Sequence, residues 1–147
     1  MAIDTFDVST PIKSSVDKFY DFFKFKMSEL VNIFPASFKG VELLEGEEGT
    51  VGCVKLWHYI LGGIPMTVKA KNEAIDDEKH SLTFAALEGD VLQLYKSFNA
   101  TLVISEGLAK WTFTFEKATL LSPIPELYGP LVIAASTLVD AYLLINN

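Results

Sequence analysis

The sequence contains no arginine: its twelve basic residues are all lysine, set against nineteen acidic ones for a net charge of -7. The planar guanidinium fork that clamps phosphate or guanine is therefore missing, and nucleic acid is not an expected partner. Cysteine is almost as scarce. Cys53 stands alone, so no internal disulfide can form. The opening residues MAIDTFDVST carry neither the basic segment nor the apolar core of a secretory signal, which predicts a cytoplasmic protein. Histidine occurs twice, at His58 and His80 on separate segments, and supports no metal site and no Ser-His-Asp or Cys-His arrangement. Cys53 among apolar strand residues reads as inert rather than nucleophilic. No metal and no cofactor are expected. The most apolar run, residues 127–145, is interrupted by Gly129, Pro130, Ser136, Thr137 and Asp140, and fits a buried helix better than a membrane span.

What the chain does have is apolar mass: half of its 147 residues are hydrophobic, enough for one domain over 1–147 with a sizeable core. The alternation in TFDVST predicts a short strand. Ser14 or Ser15 then caps a helix through Phe23, with Val16, Phe19, Tyr20 and Phe23 at helical spacing, and a second short helix over 27–34 stops at Pro35. From Gly40 the period becomes two. Segments 40–45, 51–61, 66–76, 81–87, 91–104 and 109–118 are separated by the turn signals GEEG, GGIP, DDEKH, EGD and SEG, which predicts a six-strand antiparallel meander. After the loop LSPIPELYGP, one long helix runs to Asn147 with almost no polar face in its first half, so the sheet must cover it. A sheet of this length curls around that helix and gives each strand an inward face. Trp111, Phe113 and Phe115 share one such face, and Leu82, Phe84 and Ala86 another. Over 91–104 two faces compete, Leu92, Leu94, Lys96 and Phe98 against Val91, Tyr95, Ser97 and Asn99, and periodicity does not choose between them.

The loop EGEEGTVG leading into CVKLW, the segment EAIDDEKHSLTF and the run LEGDVLQLYKSF, in this order of elements, resemble the major latex protein branch of the plant birch-pollen-allergen superfamily. The resemblance covers nearly the whole chain. It implies an α+β helix-grip fold, in which a seven-stranded antiparallel sheet curls around the long C-terminal helix, with two short helices, and encloses a large apolar cavity. Gly46, Gly49 and Gly52 superficially match a dinucleotide fingerprint. That fingerprint requires a helix after the glycines, whereas strand flanks them on both sides here, so they read as a hairpin loop.

The register implied by the resemblance turns Cys53, Lys55, Trp57 and Tyr59 inward, with Val68, Ala70 and Asn72 on the next strand and Tyr95, Ser97, Asn99 and Thr101 further on. Catalytic candidates are then Tyr95, Ser97 and Lys55. Ligand-binding candidates are Trp57, Tyr59, Asn72, Phe84, Asn99, Trp111, Phe113 and Phe115. Apolar area with a few orienting polar groups is what small-molecule pockets present, although an inward Tyr or Ser also occurs as a satisfied core group. Relatives in this superfamily bind small hydrophobic metabolites, and some cyclise, isomerise or condense reactive intermediates. Its condensing enzymes use a lysine near the start of the last helix, and this chain has none after Lys117. Three readings remain: assisted cofactor-free cyclisation or isomerisation of a terpenoid or iridoid enol supplied by an upstream enzyme, non-catalytic carriage of a hydrophobic metabolite with a defence-related role, and a structural or defence-associated interaction protein whose cavity is incidental.

Overall fold

The computed structural model describes residues 2–146; Met1, and Asn147 at the end of the expected terminal helix, lie outside them. The chain runs β1 (Ile3–Pro11), α1 (Val16–Phe25), a 3-10 turn (Met27–Glu29), α2 (Leu30–Ile33), β2 (Phe38–Glu45), β3 (Val54–Leu61), β4 (Ile64–Asp76) and β5 (Ser81–Gly89). A second 3-10 turn (Asp90–Gln93), β6 (Tyr95–Ser105), β7 (Leu108–Lys117) and α3 (Tyr128–Ile145) complete it. The sheet has seven strands in the order β1-β7-β6-β5-β4-β3-β2, and every neighbouring pair is antiparallel. The meander from β2 to β7 is thus as expected, and β1 extends it beside β7.

Of the two capping candidates, Ser15 starts α1: its Oγ accepts the Lys18 N–H at 3.2 Å, with Asp17 in the first turn and Lys24 in the last, both favourable to the helix dipole. Ser14 has another task. Its hydroxyl donates to Asp140 Oδ1 at 2.6 Å, and its N–H and that of Lys13 donate to the same carboxylate at 2.8 to 3.1 Å. This clasp ties α3 to the β1–α1 connection. Burial pushes the Asp140 carboxyl up, but the donors from Ser14 and Lys13 together outweigh burial and hold it below the ordinary aspartate range.

The segment 91–104 departs from a simple strand, which is why two faces competed. Its first residues form the 3-10 turn, and β6 then carries a bulge between Tyr95 and Ser97, where the register against β7 slips by one. Two residues of β6 oppose one of β7 there, so the inward set changes parity. Tyr95 is buried from one expected set and Phe98, followed by Leu102 and Ile104, from the other. Ser97, Asn99 and Thr101 consequently face outward, opposite Glu116, Thr114 and Thr112, and the expectation that they point inward is corrected.

By length and composition α3 is apolar enough to cross a bilayer. In this fold it lies along the concave side of the sheet, near β1, α1 and α2. Gly129 permits the approach to β1, because a Cβ there would sit 3.2 Å from Val8 Cγ1. Further along, Ser136 is fully buried and accepts the Trp111 indole N–H at 2.9 Å. The buried polar groups of the helix, Ser136 and Asp140, thus both have protein partners.

Candidate functional site

Between α3 and the concave face of β2 to β7 the packing leaves a partly open cavity of about 140 Å³. On α3 its wall is Tyr128, Leu131, Val132 and Ala135, the i, i+3, i+4, i+7 stripe of one helix face. Trp57 and Tyr59 from β3, Val68 and Ala70 from β4, Phe84 and Ala86 from β5, and Phe98 and Ala100 from β6 continue it. Trp111 and Phe113 from β7 close one side, and Phe23, Met27, Leu30 and Phe38 the end nearest the short helices. Alanines at 70, 86, 100 and 135 supply too little volume to fill the space between aromatic rings, which is why a void persists there.

The expected large cavity is therefore a modest one. Ordinary ligand pockets span roughly 300–1,000 Å³, and a dry cavity of about 150 Å³ accepts benzene. Aromatic side chains occupy the remainder: the ring of Tyr128 lies 4.9 Å from that of Phe98 and 5.7 Å from that of Phe113.

The expected ligand contacts Trp57, Tyr59, Phe84, Trp111 and Phe113 all line this space. Phe115 is buried in the same core but stacks edge-on against Tyr95 at 5.4 Å, outside the cavity wall. Apart from Tyr59, the polar candidates lie away from the cavity, and three of them, Tyr95, Lys55 and Asn72, have structural tasks. Tyr95 donates its hydroxyl to the Pro123 carbonyl at 2.7 Å, which fixes the β7–α3 loop. Lys55 is buried beneath the glycine-rich loop and pairs with Glu48 of that loop at 2.5 Å, while Ser28 also donates to Glu48 at 3.3 Å. Asn72 donates its amide to the Thr50 carbonyl at 3.1 Å and exchanges backbone hydrogen bonds with Gly52 and Cys53. Ser97 and Asn99 lie on the outer face, as described above. A long polar side chain on an inward strand position braced the nearest loop, because a loop carbonyl or carboxylate was closer than the cavity.

The glycine-rich loop is the hairpin connection between β2 and β3. Its Gly46, Gly49 and Gly52 have φ of 74°, 84° and 91°, and a Cβ on Gly49 would run into the Phe25 ring at 2.5 Å. With strand on both sides there is no helix N-terminus to receive a phosphate.

The polar feature that does line the cavity was in part missed. Tyr59 was a candidate, but its partner Tyr128 was not: the two hydroxyls lie 2.5 Å apart, both residues being buried. Burial pushes the Tyr59 phenol up in pKa, and burial together with Tyr59 pushes Tyr128 up strongly, so both stay protonated at neutral pH. The tyrosine in LYGP, at the start of an otherwise featureless apolar helix, was the available signal. Cys53 is buried, and burial raises its thiol pKa, which keeps it a poor nucleophile. Among the described residues no group of three His, Cys, Asp or Glu side chains converges on a metal-sized space.

Comparison with known proteins places this geometry. The chain is 31% identical over 147 residues to MLP-like protein 34 of Arabidopsis thaliana, a match covering 96% of the chain but 46% of that relative's own length. The chain thus spans less than half of that protein. Among solved structures, ginseng major latex-like protein 151 from Panax ginseng superposes with a TM-score of 0.93 at 30% identity, covering 97% of this chain and 98% of that one. Norcoclaurine synthase from Thalictrum flavum, in complex with dopamine and hydroxybenzaldehyde, shares the fold alone: its TM-score is 0.77 at 17% identity, over 99% of this chain and 89% of that one. Residues 1–146 match the model of the pathogenesis-related protein Bet v 1 family, and with relatives named major latex proteins on either side of the comparison, the chain belongs to that family.

Proposed function

We propose that the chain binds a small, uncharged, largely apolar metabolite in the cavity between α3 and the sheet. The observation that carries this is the wall itself: aliphatic and aromatic side chains from six strands and all three helices line the space, and among the described residues no ionised side chain does. An apolar void rewards a guest for each apolar surface removed from water, whereas a charged guest loses hydration without gaining a partner. About 140 Å³ suits a single-ring guest as it stands. A ten-carbon guest requires the side chains at the short-helix end, Met27, Leu30 and Phe38, to move aside.

Where the guest is a reactive terpenoid or iridoid enol handed over by an upstream cytoplasmic enzyme, we propose that the same walls template its cyclisation or isomerisation. Such a step needs no cofactor: the enol carbon adds to an electrophilic carbon elsewhere in the same molecule, the enol C=C and the acceptor's π bond give way to a new C–C bond and a carbonyl, the proton of the enol hydroxyl passes to the acceptor's oxygen, and the protein selects the folded conformer and excludes water. A non-catalytic carrier role is the second reading. It is favoured by the placement of Lys55, Tyr95 and Ser97, the expected proton carriers, away from the cavity.

Ligand-dependent melting tests the binding reading. At about a hundred times its dissociation constant a guest specific for the native state adds about 2.7 kcal/mol. Single-ring terpenoid fragments are expected to raise Tm in a saturable way, and Ala100→Leu, which fills the void, to abolish the shift. No shift with any apolar guest removes the reading. Chiral product analysis with an enol generated in situ separates the two roles: a changed stereoisomer ratio supports the cyclase, and an unchanged ratio with retained binding supports the carrier.

A further inference from the structure

The hydroxyls of Tyr59 and Tyr128 meet at 2.5 Å with both rings on the cavity wall. Two protonated phenols carry two O–H donors, and one O···O contact consumes one of them. None of the other described hydrogen bonds uses either hydroxyl, and the Tyr128 ring packs on the apolar rings of Phe98 and Phe113. Among the described residues, therefore, one phenolic proton has no acceptor. A buried donor without an acceptor is costly, and relief can come only from what enters the cavity.

We propose that the Tyr59–Tyr128 pair is the specificity determinant of the cavity: it presents one O–H to the guest and so selects small apolar molecules bearing a single neutral acceptor oxygen, such as a ketone, aldehyde or ether, over hydrocarbons of the same shape. The proposal rests on the reading of this cavity as a binding site. A donor already polarised by a neighbouring phenol is the stronger for it, since hydrogen bonds in a chain reinforce one another. An anionic guest is disfavoured: Lys55 is committed to Glu48, and the Asp90 carboxylate already bears on both phenols.

The pair also has a distinctive redundancy. Replacing either tyrosine by phenylalanine leaves the other hydroxyl with its proton and no partner, still able to donate. Only the double replacement removes the donor.

Cyclohexanone and methylenecyclohexane, which differ in C=O against C=CH2, are suitable probes for titration calorimetry with the full chain. Tyr59→Phe and Tyr128→Phe are each expected to keep cyclohexanone affinity within about twofold, whereas the double variant loses about tenfold for the ketone and nothing for the alkene. A ketone affinity that falls no further than the alkene affinity in the double variant overturns the donor assignment and leaves the cavity reading standing. Failure of both probes to bind the unaltered protein overturns both. Infrared spectroscopy of carbonyl-labelled cyclohexanone bound to the unaltered protein supplies an independent measure that needs no variant to fold. A C=O stretch below its position in hexane is expected, and one at the hexane position refutes the hydrogen bond.

Discussion

The two halves of α3 face the same concave sheet and are treated oppositely. From Ser136 onward the helix is pinned: Ser136 takes the Trp111 indole proton, Val139 is fully buried, and Asp140 gathers the donors of Lys13 and Ser14. From Tyr128 to Ala135 it presents a stripe that touches a void of about 140 Å³. The pinned half shows what holds the fold, and the loose half borders the space assigned to the proposed guest. A protein that keeps a cavity needs directional bonds elsewhere, because the void forfeits the dispersion contacts a filled core would supply.

The largest expected effect lies in the pinned half. Asp140→Ala strands three donors near the surface of α3 and is expected to cost about 3 kcal/mol, measured by denaturant unfolding. The pH dependence follows from the lowered carboxyl. Its contribution is full above the ordinary aspartate range and is lost as pH falls through the lower folded value, so the gap between wild type and Asp140→Asn should close on acidification. A gap that stays constant into strong acid would mean that the clasp draws nothing from the charge. Ser136→Ala comes next, at about 1–2 kcal/mol, because it leaves the Trp111 N–H buried and unpaired.

The loose half should respond differently. Ala135→Leu places its added carbons in the void and is expected to change stability by less than about 1 kcal/mol while abolishing the binding of single-ring guests. If it destabilised the chain as much as Asp140→Ala does, the two halves would not differ in packing and the void would not be available space. The smallest effect is expected outside both halves. Ser97→Ala, on the exposed face of β6, should alter stability by no more than about 0.5 kcal/mol and leave guest affinity unchanged; a loss of affinity would show that the outer face communicates with the cavity.

Much of this architecture was legible from residue order. The period-two runs located the meander, the pair Ser14 and Ser15 the start of α1 without choosing between them, and the triplet Trp111, Phe113, Phe115 the inward face of β7. The glycines of the loop were read correctly as a hairpin, since strand-forming residues flank them. The candidate site was half legible. The aromatic walls follow from alternation, but a bulge is a one-residue event that reverses every later side chain, and no residue type announces it. Ser97 and Asn99 were lost to that reversal. Lys55, Asn72 and Tyr95 were lost for another reason: inward direction was read correctly in sense, while the partner that each side chain reaches depends on loops distant in sequence.

By itself, then, the sequence determined the order of elements, the absence of guanidinium chemistry and an apolar interior, because period, composition and turn residues act locally. Only the tertiary structure decided the size of the void, the pairing of Tyr59 with Tyr128 across 69 positions, and the clasp of Asp140 on Ser14 across 126. These depend on how a twisted sheet closes over a helix, and contacts between distant segments are set by that closure rather than by any stretch of neighbouring residues.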